Sequence, residues 1–88
     1  MKIIYKYPLP KDGKLVIPKE AQILTIREQG EDVFLWALVE TKKASDERTL
    51  LVFGTGHVIA DDLNIEYLDT FFVSNGKFVF HVFEKLEN

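Results

Sequence analysis

An all-β fold, a compact antiparallel small barrel or sandwich of six to seven strands, is what this sequence predicts, and three observations predict it. Short stretches rich in β-branched and aromatic residues recur, beginning with Lys2-Ile-Ile-Tyr-Lys-Tyr7, and their period of two is that of a pleated strand. Turn signals separate them, namely Asp12-Gly13, Gly30-Glu31 and Asn75-Gly76. No stretch carries a helical period for more than about one turn, so at most one or two short helical turns are expected. Periodicity alone leaves barrel and sandwich equally open.

The first strand, Lys2 to Tyr7, sets Ile3, Tyr5 and Tyr7 on one face and Lys2, Ile4 and Lys6 on the other. Pro8 and Pro10 end it, because proline cannot donate to a ladder. Asp12-Gly13 then turns the chain into a second short strand, Lys14 to Ile17, and Pro18 to Ala21 reads as a single helical turn at most. Gln22–Gln29 and Asp32–Val39 form a hairpin across Gly30-Glu31. In its second strand both Val33, Leu35, Ala37, Val39 and Phe34, Trp36, Leu38 are apolar sets, a pattern that predicts a central strand covered on two sides with Trp36 as core anchor.

Glu40 to Glu47 is polar and aperiodic, and is expected as a mobile loop. Arg48 to Phe53 returns as a strand, Ala60 to Asn64 is a polar connection with room for a helical turn, and Glu66–Val73 and Phe78–Glu84 flank Ser74-Asn75-Gly76-Lys77. Asn-Gly between two apolar runs is the strongest hairpin signal in the chain, since a type I′ turn needs positive φ at both central positions. In the last strand His81 shares a face with Val79 and Phe83, which predicts a buried neutral imidazole bonded to a carbonyl or carboxylate.

Eighty-eight residues make one domain, residues 1–88, and 47% hydrophobic with 12% aromatic content argues for a folded core. There is no cysteine, hence no disulfide framework and no thiolate metal site; a reducing cytoplasm fits. The first residues lack the pattern of a secretory leader, and no apolar run approaches the roughly 20 residues of a membrane span. A net charge of −3 argues against nucleic acid, because affinity for phosphate backbones comes from lysine and arginine. Asp61-Asp62 lacks the spacing of a calcium loop, so neither metal nor cofactor is expected.

The stretch with chemical potential is Arg48-Thr-Leu-Leu-Val-Phe-Gly-Thr-Gly-His57. A strand should end at Gly54, and two glycines around Thr55 allow backbone N–H groups to converge on an anion or carbonyl, with His57 at the lip. The alternative is a glycine turn that only redirects the chain. Gly54, Thr55, Gly56 and His57, together with Arg48 and His81, are the candidate binding residues; none is assigned a catalytic role.

The set Ile4-Tyr-Lys-Tyr7, Leu35-Trp-Ala-Leu-Val39, Glu47-Arg48, Gly54-Thr-Gly-His57 and Phe78-Val-Phe-His-Val-Phe-Glu84 resembles a family of small uncharacterised proteins of bacteriophages and prophages, over nearly the whole chain. The resemblance implies a phage-type origin and the host-cell cytoplasm, and supplies no mechanism. Three functions are weighed: a non-catalytic binding module for a host protein or a small anionic or nucleotide ligand; an assembly protein pairing copies through sheet edges, with a homodimer expected; and a phosphoesterase using His57 and His81 with Asp61 or Glu84.

Overall fold

The computed structural model describes residues 1–87. Its elements are β1 (Lys2–Pro8), β2 (Lys14–Pro18), β3 (Gln22–Gln29), β4 (Asp32–Glu40), β5 (Ser45–Gly54), β6 (Ile65–Val73) and β7 (Phe78–Lys85). All neighbours pair antiparallel, in a three-stranded sheet β1-β4-β3 and a four-stranded sheet β2-β5-β7-β6. The fold is therefore all-β with seven strands in two sheets. No helical turn forms among the described residues: 18–21 is a turn closed by Ala21 N–H to the Pro18 carbonyl, with Glu20 at φ 65°, and 60–63 is a turn closed by Leu63 N–H to the Ala60 carbonyl.

Turn chemistry sets the hairpins. Gly30 takes φ 68° in the two-residue β3–β4 connection, and Asn75 and Gly76 take φ 58° and 85° with Lys77 N–H bonded to the Ser74 carbonyl, the backbone that Asn-Gly favours. The charged stretch expected as a loop is shorter than its polarity suggests. β4 runs to Glu40 and β5 begins at Ser45, because Asp46, Glu47 and Arg48 pair with Ile17, Val16 and Leu15 of β2.

Apolar inner faces pack between the sheets. Leu35, Ala37 and Val39 of β4 join Ile26, Leu15, Ile17, Leu50, Phe71, Val82 and Ala21 in one cluster, and no polar or charged residue among the described residues is buried. The face of β4 that carries Phe34, Trp36 and Leu38 is only half-buried. Trp36 is thus not the core anchor, and β4 is covered on one face instead of two. On the open face Trp36 meets Phe34 edge-on at 6.4 Å between ring centroids, and the Lys6 ammonium stands 4.0 Å from the centre of the Phe34 ring.

Two β-bulges join the sheets at one side. β3 is irregular between Ile23 and Thr25, and β6 between Tyr67 and Asp69. At that seam an Asp69 carboxylate oxygen accepts from Ile26 N–H at 2.7 Å and from the Thr25 hydroxyl at 3.1 Å. The carboxylate gives a β3 backbone amide a partner that no strand supplies.

Candidate functional site

The glycine stretch closes β5 as a tight turn. His57 N–H donates to the Gly54 carbonyl at 3.1 Å, and Gly56 takes φ 87°, the third-position conformation that a type II turn reserves for glycine. The His57 ring folds back over its own loop, where Nδ1 accepts from Gly54 N–H at 3.1 Å. Gly54 makes room for it, since a Cβ there would stand 2.8 Å from His57 Cε1. With its lone pair at Nδ1 engaged, the neutral ring carries hydrogen on Nε2 and offers a donor.

That turn borders an open cleft of about 370 Å³, lined by Gly54, Thr55, His57, Lys77, Phe78, Val79 and Phe80. β7 pairs beside β5 with Gly54 opposite Phe80, and this pairing brings the β6–β7 turn and its Lys77 to the glycine loop. Lys77, His57 and Thr55 thus line one cleft with Phe78, which is 55% exposed. Gly54→Ala is expected to expel the imidazole from its seat. The measurement is the His57 Nδ1 resonance, which should lose its acceptor signature, while stability falls by about 1 kcal/mol for the lost hydrogen bond.

His81 reaches the same loop from the outer face of the four-stranded sheet. Its Nε2 lies 2.8 Å from the Thr55 hydroxyl, its Nδ1 3.0 Å from the Thr70 hydroxyl, and Thr70 lies 2.7 Å from the Tyr67 hydroxyl. This is a continuous chain from β6 to the glycine turn, and both imidazole nitrogens are occupied within it. His81 is half-buried and bonded to hydroxyls, not buried against a carbonyl or carboxylate. Phe83 lies on the same face, in edge contact with Phe53 at 5.8 Å and Tyr67 at 5.5 Å.

Arg48 stands apart, six residues back along β5 and so about 20 Å from Gly54 at strand rise. Its guanidinium forks onto Glu84 at 2.8 and 2.6 Å and donates to the Ala21 carbonyl at 2.7 Å. Glu84 holds Arg48 more firmly protonated than a free guanidinium. The same contact engages the carboxylate that a phosphoesterase reading would need. Asp61 lies in the 60–63 turn, and no group of three or more His, Asp or Glu among the described residues is placed to hold a metal ion.

No local pattern in the sequence singles out Lys77, Thr70 or Tyr67. Lys77 reads there only as a hairpin residue. Tyr67 and Thr70, three apart, reach one face only because the bulge between Tyr67 and Asp69 shifts the alternation. A further cleft of about 390 Å³ lies at the far end of the three-stranded sheet, but its charges are mixed and Lys43 is held by Glu20 at 2.5 Å.

The chain belongs to a family defined as a domain of unknown function (DUF7352), whose model matches residues 1–88. Comparison with curated proteins and with solved structures gave no match. Among the described residues no helix is long and apolar enough to cross a membrane.

Proposed function

We propose that this member of a family of unknown function is a non-catalytic binding module that holds a small anionic ligand of nucleotide type in the cleft between the glycine turn and the start of β7. The observation that carries the proposal is the seated His57, whose Nδ1 is engaged by Gly54 N–H, which leaves Nε2–H as a donor, in a cleft that Thr55 and Lys77 also line. An anion takes its charge complement from Lys77 and hydrogen bonds from His57 and Thr55, and a planar base takes the exposed ring of Phe78. Holding is favoured over proton transfer because a general base needs a free lone pair, and those of His57 and His81 already have partners.

The phage-type resemblance supports a setting in which the chain is made in an infected cell and acts in the host cytoplasm by occupying a host nucleotide or protein. Isothermal titration with AMP and with orthophosphate tests the cleft. AMP is expected to bind more tightly than orthophosphate, and Lys77→Ala and His57→Ala are each expected to weaken it about tenfold, the value of one charge-assisted hydrogen bond. Absence of heat with either compound at millimolar concentration would overturn the reading. The competing reading is assembly of copies through sheet edges as a homodimer, and light scattering separates the two, since a dimer would report twice the 10.2 kDa chain mass.

A further inference from the structure

The outer edge of β1 has a definite hydrogen-bond polarity. Thr41 N–H donates to the Met1 carbonyl and Leu9 N–H to the Val33 carbonyl, and both bonds keep the register in which Ile3 faces Val39 and Tyr7 faces Leu35. Hydrogen-bonded pairs alternate in an antiparallel ladder, so Ile3, Tyr5 and Tyr7 bond to β4, and Lys2, Ile4 and Lys6 aim their N–H and C=O groups away from it. β1 ends the sheet order β1-β4-β3, and every residue from Lys2 to Lys6 is exposed. Among the described residues, three backbone donors and three acceptors therefore stand without a partner strand in one row, closed off by Pro8, which has no N–H.

The side chains say what fits that row. Lys2, Ile4 and Lys6 share the outer face of the sheet, as their partners Glu40, Leu38 and Trp36 do, while Ile3 and Tyr5, 41% and 45% exposed, lie on the other. An antiparallel second copy centred on Ile4 would set Lys2 opposite the other copy's Lys6 twice, and like charges directly opposed destabilise a pair. Edge lysines are a known guard against self-pairing. A strand with acidic residues at those two positions turns both contacts favourable. In the free chain Lys6 reaches inward across β4, over Phe34 to Gln29 on β3, so it meets a carboxylate on an added strand by turning out to the edge and exchanging those contacts for the ion pair.

We infer that the β1 edge accepts an extended acidic segment of another protein by strand addition, reading the pattern acid, apolar, apolar, apolar, acid. The site is independent of the cleft. It identifies the chemistry of a protein partner: two carboxylates four residues apart flanking a β-branched run.

The test is fluorescence polarisation of a labelled peptide, Ser-Thr-Glu-Val-Ile-Val-Glu-Thr-Ser, and of the same peptide with lysine for both glutamates, against the whole chain. The acidic peptide is expected to bind about tenfold more tightly than the basic one, an effect that added salt erodes. Lys2→Glu with Lys6→Glu is expected to reverse the preference; Lys2→Glu alone, which leaves Lys6 over its ring, should halve the discrimination or more. Amide exchange supplies the structural readout, because binding should slow Lys2, Ile4 and Lys6 and leave Ile3 and Tyr5 unchanged. Equal binding of both peptides, no binding of either, or protection of those three amides in the free chain through self-association would each overturn the inference.

Discussion

Leu35→Ala is expected to destabilise the protein by about 3–5 kcal/mol, the cost of a cavity in a packed core, whereas Trp36→Ala should cost only about 1–2 kcal/mol for its aromatic and cation–π contacts. The order runs against side-chain size. Leu35 has no solvent exposure and sits in the central cluster between the sheets, while Trp36 is half-buried on the open face with Phe34 and Lys6 as neighbours. Urea titrations of the two variants measure it directly. Equal losses, or the larger loss at Trp36, would mean that the outer face of β4 is covered in solution. For a domain whose whole stability is of order 5–10 kcal/mol, Leu35→Ala alone should bring unfolding close to ambient temperature.

The second large effect is expected at Arg48. The side chains of Arg48 and Glu84 are 20% and 14% exposed and meet in two parallel hydrogen bonds, with a further bond from Arg48 to the Ala21 carbonyl. Arg48→Ala leaves Glu84 without its counter-charge in a largely dry setting and should cost about 3 kcal/mol. The double variant Arg48→Met with Glu84→Leu should recover most of that loss, because it removes both charges and keeps the volume. Thermal melts of the single and double variants decide this, and AMP binding should be unchanged in both. A single variant that keeps its stability but loses AMP binding would return Arg48 to the binding site.

Strand positions are legible in the sequence, since alternation and turn chemistry are local. Asn75-Gly76 adopts positive φ because no other arrangement of that hairpin suits those residues so well, and β1, β3, β4 and β7 lie where their alternating patterns predict. It also marked Gly54 to His57 as a turn, because only glycine takes the φ of Gly56 at no steric cost. Polarity misled at Asp46 and Glu47, which look like loop and stand in a strand because β2 supplies the ladder. Which face of each strand lies inside depends on packing between distant segments. Both faces of β4 are apolar, and the choice of Leu35, Ala37 and Val39 over Phe34, Trp36 and Leu38 was made by the second sheet, which covers one side only. The site follows the same rule. Thr70 and Tyr67 reach His81 through a one-residue bulge in β6, and Lys77 reaches the glycine turn through strand pairing; both depend on partners distant in the chain, and local pattern carries no record of them.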